Sequence, residues 1–547
     1  MNKIKTVCLA VVAMASIGTA NAGGILTNTN QNVAFLRNPA RDGAIGIDGV
    51  YSNPAGVAFL EDGFHLSINW QSVWQTRTIT TTNPFFALGQ KNNGLAEKEF
   101  EGKATAPVLP SFQAAYNKDR WSFQAGFAVV GGGGKCEFAN GIGSFESYVG
   151  AIGSLLGGVS QQLQGAGIPV PSVKGYDVDG YMQGRQYYFG LTLGTSYKVN
   201  DNLSVYGGVR MLLGDASYKA KLDNIKVVTD AGNLTLPQFF EGIENGLNAA
   251  GAQLQQAGNQ IQQGIGQYVG GYMAAGMTQE QAMQTPEVQN LLAQAAQVQA
   301  KAAQLQATGE QLNQQAGVLA PYANGVNLQS DQSGFGIAPI IGVDYKVGQF
   351  NLAAKYEFKT RMRMKNKSTV KEASIIGAVN KFKDGSNVPE DSPALLALGA
   401  QWSPVESVRI NAGYHHYYDK STNQYLHQER LLDGDTNEYL GGVEVDPIKK
   451  LTVSAGFQIT RYGLTDQYMN DMSFVVNSWS FGAGIKYQVS EKVAINAAYF
   501  QTNYGTYDRT TPAQTMQMGG AALSMPETKD SFTRTNHVIG VGVDLKF

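Results

Sequence analysis

The chain ends in the run His537-Val538-Ile539-Gly540-Val541-Gly542-Val543-Asp544-Leu545-Lys546-Phe547. Its odd-numbered residues are mostly large and apolar, whereas its even-numbered residues are mostly small or charged. A period of two with one apolar face is the pattern of a half-buried β-strand. The run therefore predicts a strand with one apolar face that extends to Phe547.

The other end of the chain has the pattern of a secretory signal peptide. Lys3 and Lys5 precede an apolar stretch over 7–17, and the small residues Ala20-Asn21-Ala22 follow it. A charged segment, a short apolar segment and an A-x-A site together predict cleavage by a signal peptidase. We therefore expect residues 1–22 to be a signal peptide that is removed after Ala22.

Composition narrows the class of protein. The 547 residues include 65 Gly, 10% aromatic residues and only 15% charged residues, which suits many short strands joined by turns. No run of about 18 apolar residues occurs outside the signal peptide, so we expect no helical membrane span. The net charge of −2 and the lack of a basic stripe exclude nucleic acid as a partner. Cys136 is the single cysteine after cleavage, so the mature chain forms no internal disulfide.

Short turns and long connections alternate along the chain. Six short turns, rich in the residues of hairpin connections, lie at 117–120, 198–201, 346–349, 403–406, 446–449 and 489–492. Seven longer connections lie at roughly 75–105, 131–184, 215–333, 364–391, 419–436, 463–473 and 505–532. This alternation predicts an all-β fold, a transmembrane antiparallel β-barrel of about 14 strands with both ends at the short-turn side. A soluble sandwich or propeller would not sort its loops so unequally.

The predicted strands also show which residues face lipid. Leu451, Val453, Ala455, Phe457 and Ile459 alternate with polar or small residues, so by parity this apolar set faces lipid. The same parity directs several charged side chains into the lumen, namely Arg210, Asp344, Lys355, Glu357, Arg409 and Glu444. Aromatic residues cluster near strand ends, as interfacial girdles require.

The segment before the first predicted strand contains Asn53-Pro54-Ala55-Gly56, preceded by Gly43-Ala44-Ile45 and Asp48. With the signal peptide, the strand count and the terminal aromatic residue, it resembles the FadL-type outer-membrane transporters of long-chain fatty acids and other hydrophobic molecules. The resemblance implies an N-terminal plug, or hatch, at residues 23–62 inside a barrel of residues 63–547. An earlier copy, Asn38-Pro39-Ala40, lies at a less suitable distance from the first strand.

The resemblance also implies a function and partners. It implies facilitated uptake of a hydrophobic small molecule, such as a long-chain fatty acid, by a monomer in the lipid of the bacterial outer membrane. The barrel-assembly machinery would recognise Phe547 as part of its signal. A ligand carboxylate would meet basic lumen residues, for which Arg210, Lys355 and Arg409 are the candidates, although lumen charges commonly pair with one another.

Two long connections carry apolar periodicity of their own. Residues 235–330 contain stripes at helical spacing, including a seam with a strict period of seven that consists of Leu291, Val298, Leu305, Leu312 and Leu319. They predict an extracellular insertion of two antiparallel helices. In the shorter connection, Phe145, Val149, Ile152 and Leu155 form an apolar side that is a candidate for a ligand-capture groove or, alternatively, for packing against a neighbouring hairpin.

Three other functions compete with transport. A membrane-embedded enzyme would need a reactive histidine, but His415 and His416 lie in an aromatic run that favours girdle packing. The sequence also has no G-x-S-x-G or H-E-x-x-H motif, so we expect no catalytic residues, metal or cofactor. A general porin usually lacks an N-terminal plug. A surface adhesin or scaffold built on the helical insertion stays open as an alternative.

Overall fold

The computed structural model describes residues 32–319, 325–371, 377–518 and 521–547. The predicted signal peptide and the first part of the predicted hatch, 23–31, lie outside the described residues. Fourteen antiparallel strands form the wall. They are β1 (Gly63–Thr82), β2 (Glu97–Lys118), β3 (Trp121–Phe138), β4 (Val173–Lys198), β5 (Leu203–Thr229), β6 (Val326–Val347), β7 (Phe350–Glu357), β8 (Leu395–Val405), β9 (Val408–Tyr417), β10 (Gly434–Ile448), β11 (Leu451–Gly463), β12 (Ser478–Ser490), β13 (Val493–Tyr504) and β14 (Thr528–Lys546).

The wall closes on itself through its first and last strands. β14 pairs with β13 on one side and with β1 on the other, from His65 opposite Lys546 to Thr82 opposite Lys529. Phe547 and Phe64 exchange backbone hydrogen bonds at this seam. In the described part of the chain every wall strand has a partner on both sides, as strands that span a bilayer require, although the β2–β3 register breaks between Ala104 and Phe112. The predicted fold class is confirmed.

The two faces of the wall differ as the sequence predicts. On β11, Val453 and Phe457 are 44% and 52% exposed, whereas Ser454 and Gln458 are buried. The outer surface is therefore an apolar band suited to lipid, and the lumen surface is polar along this part of each strand.

The strands are longer than the sequence predicts. β4 and β5 contain 26 and 27 residues, although about 9–11 residues suffice to cross a bilayer. They continue beyond the apolar band, so the connection between β3 and β4 spans 139–172 rather than the predicted 131–184. The prediction was wrong because the extensions lack the lipid-facing alternation by which the strands were recognised.

Short strands extend the wall at the long-loop end. They are Gly232–Thr235, Arg363–Ser368, Asn387–Pro389 and Tyr507–Thr511. A separate hairpin pairs Gln514–Met518 with Ala521–Met525.

Two layers fill the lumen. Near the short turns, residues 32–62 form a compact segment that contains a short helix, α1 (Val33–Arg37), and two 3₁₀ turns, Ile47–Val50 and Gly56–Phe59. We call this segment the hatch. Towards the long loops, a large cluster of buried apolar side chains joins the upper parts of the strands to helix α2 (Gly143–Gly165). We call this cluster the outer core.

The connection between β5 and β6 is a helical hairpin. It consists of α3 (Leu236–Ala274), α4 (Gln279–Met283) and α5 (Pro286–Leu319). Thr235 and Gln238 form a capping box at the start of α3, which satisfies backbone donors there. Glycines of α3 lie against the predicted seam of α5; the pairs are Gly251 with Leu305, Gly258 with Val298, and Gly264 with Leu291. Among the described residues, no helix is both long enough and apolar enough to cross a membrane.

Candidate functional site: the hatch and the lumen

The Asn53-Pro54-Ala55 segment ties the hatch to four strands, one of them through the Ser204 hydroxyl of β5, which donates to the Ala55 carbonyl at 2.6 Å. The Asn53 side chain donates to Asp344 Oδ2 on β6 at 2.6 Å, and its own oxygen accepts from the Gly56 backbone N–H at 3.1 Å. The Pro54 carbonyl accepts hydrogen bonds from the Gln124 side chain on β3 and the Ser196 hydroxyl on β4, at 2.8 and 2.6 Å. Proline fixes φ at this position, so less backbone freedom is lost when its carbonyl is held between the two donors.

The earlier copy, Asn38-Pro39-Ala40, contacts a different part of the wall. Asn38 is fully buried, and its side-chain oxygen accepts from the Ala40 backbone N–H at 3.2 Å. Asn38 and Pro39 lie against glycines of β10 and β11. A Cβ added to Gly442 would lie 2.6 Å from Asn38 Cγ, and one added to Gly456 would lie 2.7 Å from Pro39 Cδ. The two copies therefore hold the hatch at separate strands of the wall.

A buried cluster of charges joins the hatch to β10. Glu444 accepts from Arg37 at 2.9 Å and lies 3.1 Å from an Arg41 nitrogen, while Arg41 also pairs with Asp48 at 2.7 Å. Arg409 on β9 approaches the same carboxylate at 3.5 Å. Arg37 and Arg41 lie close together in a chain with few charges. This spacing is a sequence signal for the ion-pair cluster, which was not predicted.

His415 forms a second link between hatch and wall. Its Nε2 lies 2.9 Å from Asp42 of the hatch, and its Nδ1 lies 2.9 Å from Glu438 on β10. Ionised carboxylates only accept hydrogen bonds, so this arrangement is satisfied when the imidazole carries both protons. The girdle interpretation was therefore wrong for His415, which points into the lumen. His416 stacks beside Tyr414 instead, since neighbouring residues of a strand face opposite sides.

The structure brings together two of the three predicted ligand-binding residues. The Arg210 guanidinium and the Lys355 ammonium lie 4.8 and 4.5 Å from the centre of the Tyr51 ring of the hatch. Arg210 also pairs with both oxygens of Glu357 at 2.7 Å, and Lys355 donates to the Tyr51 carbonyl at 2.6 Å. Both cations therefore hold the hatch in this conformation.

The third predicted residue, Arg409, lies elsewhere. It forms two hydrogen bonds of 2.7 Å to Asp446, beside Glu444. All three basic residues thus have protein partners, and their contact with a ligand stays a prediction.

Close backbone approach fixes where the hatch meets β8. Gly43 packs on Ala400, where a Cβ would lie 2.6 Å from the Ala400 nitrogen. Gly399 packs on Asp42 in the same way, with 2.6 Å from its added Cβ to Asp42 Cβ. Only glycine fits at these two positions, because a side chain on either would push the hatch from the wall.

The predicted capture-groove residues are inside the outer core. Phe145, Val149 and Ile152 of α2 are 2–3% exposed, and Leu155 is partly buried. Phe145 also lines the larger of the two cavities described below, and a role of these residues in ligand capture stays a prediction. Helical periodicity marks a face that is covered, but it does not tell whether protein or ligand covers it.

Within the described residues, one cavity lies between hatch and wall and another lies near the long loops. The cavity between hatch and wall has a volume of only about 30 Å³; Tyr51, Lys355, His415 and Glu438 line it. The cavity near the long loops has a volume of about 380 Å³. Its lining combines the apolar Ile142, Phe145, Val178 and Leu222 with the charged Lys91, Lys98, Glu146 and Asp179.

Comparison with known proteins supports the architecture. No family model matches the chain, and no curated protein matches it. A FadL homologue from Pseudomonas aeruginosa is 13% identical, with a TM-score of 0.56, and the match covers 96% of this chain and 100% of that one. The toluene transporter TodX from P. putida is 14% identical with a TM-score of 0.46, covering 92% and 94%. The match to the FadL homologue shows that the chain has the FadL-type fold, a 14-stranded antiparallel β-barrel.

Proposed function

We propose that this protein carries out facilitated uptake of hydrophobic small molecules across the outer membrane, with the hatch as the gate. The observation that carries the proposal is the docking of the hatch across the lumen. Residues 32–62 are bonded to strands around the wall, and one cavity between hatch and wall has a volume of about 30 Å³. A water molecule needs about 10–15 Å³ on this scale, so this cavity holds a few waters and no larger solute. In this proposal a ligand displaces the hatch to pass.

The closed lumen argues against the general porin. A porin leaves an aqueous channel through which polar solutes diffuse. Here the tethers at Asn53, Glu444 and His415 hold the gate shut until binding energy is supplied. The proposed division of the chain follows: residues 1–22 as a removed signal peptide, 23–62 as the hatch, and 63–547 as the barrel.

We further propose that ligands enter through the cavity near the long loops. Its volume of about 380 Å³ falls within the range of about 300–1,000 Å³ typical of small-molecule sites. Phe145 and Leu222 line this cavity and also belong to the outer core, so the cavity borders the outer core. The proteins of similar fold include a FadL homologue and a toluene transporter, so long-chain fatty acids and aromatic hydrocarbons are the substrates to test.

Uptake by cells with and without the protein tests this function. Labelled oleate and labelled toluene serve as hydrophobic probes, and a maltooligosaccharide is the polar control. We expect a protein-dependent rise for at least one hydrophobic probe and none for the sugar. Uptake of the sugar would identify an open pore and refute the gate.

The helical hairpin supports surface binding as a second candidate function. α3 and α5 pack mainly on each other, and most of their remaining surface is exposed and polar. A variant lacking residues 236–319, joined by a short Gly-Ser linker, separates the candidates. Unchanged uptake with loss of cell-surface binding would assign the hairpin a role apart from transport.

A further inference from the structure

The short strand Arg363–Ser368 carries basic side chains on one face only. The run 361–368 reads Arg-Met-Arg-Met-Lys-Asn-Lys-Ser, so a basic residue stands at every second position. The residues between them are only 0–6% exposed, namely Met362, Met364, Asn366 and Ser368. The basic residues are exposed, namely Arg361, Arg363, Lys365 and Lys367. Since alternate residues of a strand point to opposite faces, these four cations face outward from the wall.

β5 brings two more lysines to the same outer face. Lys219 and Lys221 are exposed near its long-loop end. β6 lies between β5 and the short strand, with Gln329 opposite Lys219 and Asp331 opposite Lys367. Two strand spacings therefore separate the two columns of cations by about 10 Å. We call these six residues the basic patch, namely Arg361, Arg363, Lys365, Lys367, Lys219 and Lys221.

The basic patch has little negative charge around it. None of its six side chains forms an ion pair with an acidic residue in the ranges that the structure describes. Asp331 and Asp223 share this part of the outer face and are exposed. Asp384, which lies near Lys367, is already bound to Lys371 at 2.8 Å. Positive charge therefore exceeds negative charge on this part of the described surface.

Outward lysines on other strands at the same end of the wall have acidic partners. Lys103 on β2 pairs with Glu101 at 2.9 Å, and Lys135 on β3 pairs with Glu137 at 3.0 Å. In each case the acid is the next residue on the same strand face. In the basic patch the next residue on the same face is another cation. Like charges so arranged repel one another unless an anion binds between them.

The basic patch begins where the apolar band of the wall ends. On β6 the outward residues Ile337 and Phe335 are 52% and 53% exposed. The next outward residue, Ser333, lies opposite Lys365. Leu213, further down the outer face of β5, is 54% exposed. Acyl chains of a bilayer cover such a band, so the cations lie at the level of the lipid head groups.

We propose that the basic patch binds the phosphorylated head group of a membrane lipid whose acyl chains cover the apolar band below it. This lipid belongs to the leaflet at the long-loop end. Arginine forms paired charge-assisted hydrogen bonds with phosphate, and lysine adds point charges around it. The two columns of cations favour a head group with more than one phosphate. The bound lipid is a partner of the outer wall, so this site is independent of what the lumen transports.

The test compares probes that differ in their phosphates and acyl chains. Bisphosphorylated lipid A, the same lipid without phosphate, and its deacylated phosphorylated disaccharide are titrated onto the purified full-length protein in a non-ionic detergent. Native mass spectrometry measures the affinity of each probe. Wild-type protein should bind bisphosphorylated lipid A at least about tenfold more tightly than either other probe, since several basic residues share its phosphates and the band holds its chains.

Two results with wild-type protein would overturn the inference. Equally tight binding of the phosphate-free lipid would show that the basic patch takes no part. Equally tight binding of the disaccharide would identify a site for soluble phosphates rather than for a lipid.

The triple variant Arg363→Gln, Lys365→Gln, Lys367→Gln tests the basic patch itself. It should lose about tenfold or more of its affinity for bisphosphorylated lipid A. Its affinity for the phosphate-free lipid should stay within about threefold of wild type, because the apolar band is unchanged. Wild-type affinity for bisphosphorylated lipid A in this variant would contradict the site.

The matched control removes the same charge from lysines that have acidic partners. It is the triple variant Lys103→Gln, Lys135→Gln, Lys529→Gln, whose lysines pair with Glu101, Glu137 and Glu527. Its affinity for bisphosphorylated lipid A should stay within about threefold of wild type, because exposed ion pairs contribute little and lie outside the patch. Equal losses in both triple variants would mean that the lipid responds to net charge alone, which would overturn the inference.

Stability gives an independent measurement. Without lipid, the variant of the basic patch should unfold close to the wild-type temperature, because exposed side chains away from special features contribute little. Bisphosphorylated lipid A should raise the unfolding temperature of wild type and control and not of the patch variant, since a ligand stabilises the state that it binds. An equal rise in all three proteins would contradict the site. Loss of hydrophobic uptake by cells would refute the proposed function and not this site.

Discussion

The clearest test of the gate is the substitution Glu444→Gln. Glu444 is buried, and it is the carboxylate that Arg37 binds in the described part of the chain. Arg41 also contacts it at 3.1 Å but keeps Asp48 as a second partner. Glutamine has nearly the same shape and lacks the charge. The substitution therefore leaves Arg37 as a buried guanidinium whose ion pair is gone, with little change in packing.

The expected effect follows from the cost of an uncompensated buried charge. Removing one partner of a buried ion pair destabilises by about 3–5 kcal/mol. Arg37 regains water when the hatch leaves the wall, so this cost falls on the closed conformation alone. At about 1.4 kcal/mol per tenfold, the population with a displaced hatch should rise by a factor between about 10² and about 4 × 10³.

Tryptic cleavage after Arg37 and Arg41 reports that population. Both residues are buried in the closed conformation, so cleavage requires displacement of the hatch. When opening and closing are fast, the cleavage rate follows the population of the open form. Mass spectrometry of the released N-terminal fragment gives the rate at these two sites, and resistance of the barrel to dodecyl sulfate without heating shows that the wall is intact.

Asp446→Asn is the matched control on the same strand and face. Asp446 pairs with Arg409, and its side chain is 28% exposed, so its loss should cost no more than about 1 kcal/mol. Cleavage at Arg37 in Glu444→Gln that is no faster than in Asp446→Asn would refute the reasoning. It would mean that the arginine cluster does not hold the hatch.

Three further predictions concern other parts of the molecule. Burial raises the pKa of Asp419, in the loop after β9, to about 7. The contribution of Asp419 to the free energy of unfolding therefore falls as pH rises from about 4 to 7. Asp419→Asn should raise the unfolding temperature more at pH 8 than at pH 4. Gly399→Val should release the hatch, because its side chain would overlap Asp42, and the conductance of single barrels in planar bilayers should increase. Gly258→Ala should stabilise the hairpin by about 0.5–1 kcal/mol, because alanine favours a helix interior over glycine and its Cβ would contact Val298 at an ordinary 3.8 Å. The loss of helical circular dichroism on heating measures the stability of the hairpin.

Each of these has a contrary result. An equal gain for Asp419→Asn at both pH values would show that the carboxyl is not held protonated by the fold. Conductance of Gly399→Val at the wild-type level would show that the hatch tolerates a side chain there. The control for Gly399→Val is Gly434→Val, at the long-loop end of β10 and away from the hatch. Earlier melting of the Gly258→Ala hairpin would mean that α3 and α5 lie closer together than described.

The sequence by itself determined the features that depend on local periodicity. Alternation with a period of two assigns lipid-facing and lumen-facing residues such as Phe457 and Gln458, because adjacent residues of a strand point to opposite faces. The heptad seam of 291–319 likewise predicts α5, because a helix repeats its faces over a fixed number of residues. The inward direction of Arg210, Lys355 and Arg409 also follows from parity alone.

The tertiary structure decided which lumen groups meet. His415 contacts Asp42, which lies 373 residues earlier in the sequence. Arg77 lies opposite Arg534 because the barrel closes in one register. Parity gives the face of a side chain but neither its neighbour across the lumen nor its height in the barrel. Closure of the wall and docking of the hatch set both, and they bring scattered charges together into ion pairs between hatch and wall.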